Sequence, residues 1–144
     1  MTLTRMRDER GSAAVEAAVG VPAFVLFVGL IIFGGRTATT HSAVESAAAD
    51  AARTASIART ASEAKQEAKA AAQASLANQD IHCLSVTVSV DVSDFAKTVG
   101  ETGAVTATVE CLLDLADLSV PGVPGSRLVK ATGTSPLDTF RERG

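Results

Sequence analysis

Three patterns of hydrophobic and polar positions follow one another along the chain. From Ala17 to Gly35 there are 19 residues without a charge, and "FVLFVGLIIF" at 24–33 is almost wholly large and apolar. A helix rises 1.5 Å per residue, so this stretch is about 28 Å long, close to the roughly 30 Å hydrocarbon thickness of a bilayer. It predicts one membrane-spanning helix. Residues 38–77 then hold 17 alanines with neither glycine nor proline, a run of strong helix formers that prolongs the helix outside the membrane. Val44, Ala48, Ala51, Ala55 and Ala58 mark a small-residue stripe, continued by Ile57, Ala61, Ala64, Ala68 and Ala71. Past Asp80 the period changes to two. Leu84, Val86, Val88, Val90 and Val92 alternate with Ser, Thr and Asp, and Val105, Ala107, Val109 and Cys111 alternate in the same way. Both runs predict half-buried strands, and a third, "SRLVKATGTS", follows the "VPGVPG" loop.

These elements predict an α+β chain. One helix, interrupted at most by a bend at Gly34 and Gly35, runs from the membrane to near Asn78 and lies against a three-stranded antiparallel sheet. Turns are expected at Gly100–Gly103 and Pro121–Gly125. The expected divisions are a leader at 1–11, a transmembrane helix at 12–36, an alanine-rich extracytoplasmic helix at 37–78, a sheet at 79–135 and an exposed tail at 136–144. The sheet's apolar face needs cover, and the outer half of the helix is the element available to give it. Asp50 with Arg53 and Glu63 with Gln66 read as solvated pairs on the wet faces of the helix.

Composition narrows the function. The chain has 144 residues, five Phe and no Trp or Tyr, which leaves room for one small domain and few large side chains to pack in it. The net charge is −3 and no basic stripe interleaved with aromatics occurs, so nucleic acid is not an expected partner. Arg5, Arg7 and Arg10 precede the apolar segment and Arg36 alone follows it closely. That bias places the N-terminus in the cytoplasm and the rest of the chain outside. Cys83 and Cys111 then lie on the oxidising side, where one disulfide is expected; two buried free thiols are the alternative. Across the two strands, the first cysteine early and the second late, the pairing suits a hairpin.

Chemistry has little foothold. His41 and His82 fit no metal-ligand spacing, Asp91, Asp94, Asp114 and Asp117 read as strand and turn residues, and "GVPGSR" is not a phosphate loop. No catalytic residue, metal or cofactor is expected.

One charge remains to be explained. Glu16 sits at the mouth of the apolar segment, and a carboxylate in lipid costs several kcal/mol unless it reaches water or a partner. In front of it stands "RG/SAAVE": a charged leader ending in Gly11, then Ser12, with Glu16 at the fifth position after the Gly11–Ser12 bond. Pro22 follows one turn and a half inside the helix, where it removes a hydrogen bond. This arrangement resembles type IV pilin-like signals. The wording "ERGSAAVEAAVGVPAFVLFVGLIIFGG" is similar in particular to the TadE-like family of the tight-adherence (Flp) pilus system in its actinobacterial form.

The resemblance implies a pilin-like fold, a cut after Gly11 by a prepilin peptidase, and a minor pilin or pseudopilin that takes part in assembling or initiating the filament. Its partners would be that peptidase, the major pilin and related minor pilins, the inner-membrane platform with its secretion ATPase, and the lipid bilayer. Gly11 and Ser12 would serve processing. Glu16 would set register by pairing with the new Ser12 amine of an adjoining subunit, and Pro22 would shape the helix. Major pilins usually begin with Phe after the cut, where this chain has Ser12. Two other readings follow from the same residues: an uncut single-pass protein that presents an outer binding domain, and a secreted domain released after the apolar segment, near "GGRTATTHSA".

Overall fold

A computed structural model of the chain describes residues 9–116, 122 and 125–140. Most of the expected leader, Asp117, the Pro121 part of the loop and the last four residues of the tail lie outside the described residues.

The helix α1 runs from Glu9 to Ile57 and α2 from Ala61 to Asn78. The single helix expected from the alanine run is therefore two. Thr60 adopts an extended conformation (φ −127°, ψ 154°) and caps α2, its Oγ1 accepting from the Glu63 N–H at 3.2 Å. Glu63 reaches back, and its Oε2 accepts from the Arg59 N–H at 2.9 Å. This reciprocal pair, written in the sequence as "TASE", satisfies helix-end donors that a continuous helix would not have exposed. Glu63 thus also serves as a capping residue. We expect Thr60→Ala to lower stability by about 1 kcal/mol, measured by urea denaturation of the full chain in micelles. An unchanged midpoint would mean that the break is held by packing alone.

Past the end of α2, Asp80 has a left-handed φ of 52°; the Ile81 N–H donates to the Leu76 carbonyl and the Asp80 N–H to that of Ala77, both at 3.1 Å. The chain is thereby turned into β1 (Cys83–Asp91), and β2 (Ala104–Asp114) and β3 (Ser126–Pro136) complete an antiparallel sheet in the order β1-β2-β3. Between β1 and β2 a short 3-10 turn, Ser93–Ala96, brings Phe95 into the core. The Ser93 N–H donates to Asp91 Oδ1 at 3.0 Å, and the Ser93 backbone and hydroxyl together hold the Asp91 carboxyl below its usual range.

α1 and α2 fold back on each other and cover one face of the sheet. Asp50 Oδ2 accepts from the Ser75 hydroxyl at 2.8 Å, so this carboxylate joins the two helices. Val44, Ala47, Ala48, Ala51, Ala52 and Ala55 of α1 and Ala64, Ala68, Ala72 and Leu76 of α2 are buried with Val105, Ala107, Val109, Cys111, Val129 and Ala131 of the sheet. Of the expected stripe, Ile57 points to solvent (62% exposed), because the turn after it redirects the chain.

Small side chains let the layers approach closely. At Gly133 the contact is closest: a Cβ there would stand 2.7 Å from the Ala49 nitrogen and closer still to the Ala48 carbonyl. The β2 alternation is as expected. In β1 the register shifts between Cys83 and Ser85, and this bulge turns Leu84 outward (59% exposed), whereas Val86, Val88 and Val90 remain half-buried on the inner side. An extra residue reverses the alternation on one side of it, which is why Leu84 departs from the expected inner face. The expected disulfide is present: Cys83 and Cys111 are bonded with their Cα atoms 5.4 Å apart. The outer face carries a polar ladder, Thr106 with Thr134 (3.2 Å), Thr108 with Thr132 (3.1 Å) and Lys130 Nζ with Glu110 Oε1 (2.9 Å). At the far end the expected exposed tail starts later than residue 136: Pro136 closes β3, and Leu137 is buried, its N–H donating to the Gly103 carbonyl at 2.8 Å.

Candidate functional site: the uncovered N-terminal helix

Among the described residues the first half of α1 has no buried side chain. The earliest fully buried position is Thr40, and every large apolar side chain before it, from Val15 through Ile32, is exposed, Phe24 at 67% and Ile31 at 58% among them. Such a helix cannot be at ease in water: burying each large side chain is worth about 1.5–3 kcal/mol, and none of that is realised within the chain. The helix is long and apolar enough to cross a membrane. Where the apolar run stops, the hydroxyls of Thr37, Thr39 and Thr40 donate to the carbonyls of Phe33, Gly35 and Arg36 at 2.9, 3.0 and 2.9 Å. They satisfy themselves within the helix, and α1 passes from the apolar run into the domain without a break; Gly34 and Gly35 do not interrupt it.

The residues singled out in the sequence sit on this rod. The backbone of Gly11 and Ser12 lies in the first turn of α1, which begins at Glu9. First-turn N–H groups have no intrahelical acceptor, so unwinding the bond for a peptidase gives up little. Glu16 is exposed one turn beyond Ser12, about 6 Å along the axis, and forms no ion pair among the described residues. Pro22 lies inside the helix and withholds the N–H that the Ala18 carbonyl would accept. Both positions therefore offer unmet polar valences on a helix with no covering partner.

Residues 11–53 match the family model of TadE-like proteins. The TadE-like segment thus starts at Gly11, includes Ser12, Glu16 and Pro22, and ends inside α1, so it takes in nearly all of the uncovered rod and most of the packed half. This agrees with the resemblance carried by the Arg-Gly, Glu and Pro pattern. No curated protein and no solved structure matches the chain.

Several ionisable side chains are engaged in local structure. Asp94 Oδ2 accepts from the Ala104 N–H at 2.9 Å and its Oδ1 pairs with Lys97 Nζ at 2.9 Å; Asp114 Oδ1 accepts from the Ala116 N–H at 3.0 Å. His41 Nδ1 lies 3.4 Å from Glu45 Oε1 on an exposed helix turn, and His82 lines an open cleft with Arg36, Thr39, Asp80 and Asp114. Among the described residues His41 does not join His82 in that cleft, and no group of His, Cys, Asp and Glu is placed to hold a metal ion. Two residues the sequence reading passed over matter for presenting the rod: Thr60, legible in "TASE", and Gly133, a glycine in the interior of a strand, which signals close approach of another backbone.

Proposed function

We propose that this chain is a minor pilin or pseudopilin of the tight-adherence pilus, cut between Gly11 and Ser12 by a prepilin peptidase and used in assembling or initiating the filament. The observation that carries the reading is the division of α1: a TadE-like helix whose apolar half lacks any cover in its own chain, joined rigidly to a small disulfide-bonded domain. Such a rod can stand in a bilayer and later exchange lipid for the rods of neighbouring subunits, with the same side chains buried in both states. The arginines ahead of it keep its start in the cytoplasm, and the domain faces outward. The new Ser12 amine and Glu16 carry opposite charges, so pairing between adjoining rods satisfies both only at one axial stagger. The major and minor pilins, the membrane platform and its secretion ATPase are the partners this role requires. The chain is a substrate in this scheme and performs no catalysis.

An uncut membrane anchor is the second reading, and one observation favours it: α1 is helical through the Gly11–Ser12 bond. N-terminal sequencing of the membrane-extracted protein, from cells with and without the prepilin peptidase, separates the two. A chain that begins at Ser12 only when the peptidase is present is the expected result. An intact start in both strains would sink the pilin reading, and a start near position 40 would indicate a secreted domain.

A further inference from the structure

On the outer face of the sheet the polar ladder gives way, at one end only, to leucine. Leu112 pairs with Leu128 across β2 and β3 and with Ser85 across β1 and β2, and the bulge turns Leu84 out beside them. Leu84 and Leu128 are 59% and 58% exposed.

The position of this cluster along α1 follows from the contacts between β3 and α1. Gly133 abuts Ala48, Ser135 Oγ donates to Ser56 Oγ at 3.0 Å, and Leu113 and Asp114, which pair with Arg127 and Ser126, line one cleft with Arg36 and Thr40. β3 therefore runs beside α1 in the same direction. Leu128 precedes Gly133 by five positions, about 17 Å of strand. The same distance back along α1 from Ala48 is about eleven residues, the level of Thr37, just past the last residue of the apolar run. The leucines thus stand at the height where the bilayer's headgroups begin.

We infer that Leu84, Leu112 and Leu128 form an apolar foot that rests in the headgroup layer of the bilayer spanned by α1, so that the domain is seated on the membrane and not held above it. This rests on the membrane-spanning reading of α1. The occupant follows from position and continuity: the cluster adjoins the exit of the apolar run, whereas Thr106, Thr108, Thr132 and Thr134, farther from that exit on the same face, are polar. A second copy with the same membrane orientation cannot add to β3 as an antiparallel strand, because a two-fold axis through that edge would invert its rod. Apolar side chains with polar neighbours such as Arg127 are the composition that partitions to an interface.

The chain has no Trp, so single tryptophans report position without background. Leu128→Trp, Thr132→Trp and Ile31→Trp proteins, full-length, would be reconstituted in phosphatidylcholine–phosphatidylglycerol vesicles with acyl chains brominated near the headgroup. Thr132 lies four strand residues farther out, about 14 Å. The expected result is blue-shifted, strongly quenched emission from Leu128→Trp and Ile31→Trp, and water-like, unquenched emission from Thr132→Trp. Unquenched, water-like emission at position 128 with quenching at 31 would overturn the foot and leave the rod in place. Blue-shifted but unquenched emission at 128 would overturn it in favour of a protein partner on the leucines. Loss of quenching at 31 would refute the spanning helix itself, and the foot with it.

Discussion

Gly133→Ala is expected to destabilise the domain by about 4 kcal/mol, at the upper end of what single substitutions do. Overpacking usually costs about 1–3 kcal/mol because side chains can move aside. Here the neighbours of the added methyl are backbone atoms of Ala48 and Ala49, with the Ala49 nitrogen at 2.7 Å. They belong to the middle of a helix packed on two strands and have no rotamer to change. Either β3 leaves α1, opening the core around Ala107 and Val109, or the helix shifts along its buried face. Urea denaturation of the full chain in micelles measures the loss. Gly125→Ala is the control, because a Cβ there meets nothing nearer than the Ala116 Cβ at 4.0 Å, and it should stay within about 0.5 kcal/mol of the parent. Equal stability of Gly133→Ala and the parent would mean that β3 and α1 are not in backbone contact.

The second large effect is expected from the disulfide. The bond closes a loop with a sequence separation of 28, and on the chain-entropy account such a closure stabilises by about 3.5 kcal/mol. A Cys83→Ala/Cys111→Ala protein should lose that amount. Dithiothreitol should bring the parent down to the level of the double variant and leave the variant itself unmoved. If the reductant shifts both equally, the loss is not due to the bond. Cys111 is fully buried in the middle strand while Cys83 stands next to the bulge, so the bond also fixes the register at which Leu84 turns outward.

Much of this architecture was legible in the sequence, for identifiable reasons. β2 lies between two partners with one face on the helices, and its alternation of Val105, Ala107, Val109 and Cys111 reads directly as burial. β1 is an edge strand with a bulge, and one inserted residue defeats a period-two reading at Leu84. The helix break was hidden because alanine propensity is uniform from 38 to 77. What stops α1 is a local competition, in which Thr60 and Glu63 satisfy helix-end donors better than continuation would. Gly11, Ser12, Glu16 and Pro22 were legible as a pattern, and all four lie on α1, with Glu16 and Pro22 exposed. The pairing proposed for them lies between chains, which is why neither periodicity nor packing within one chain bears on it.

The parallel course of α1 and β3 has a mechanical consequence. The ladder bonds of the antiparallel sheet lie across the strands, and the strands lie along the rod. A pull transmitted up α1 therefore loads the bonds between β2 and β3 in shear, all together, and does not peel them one after another from an end. A fibre or an anchor built on this rod would resist tension with the whole sheet at once.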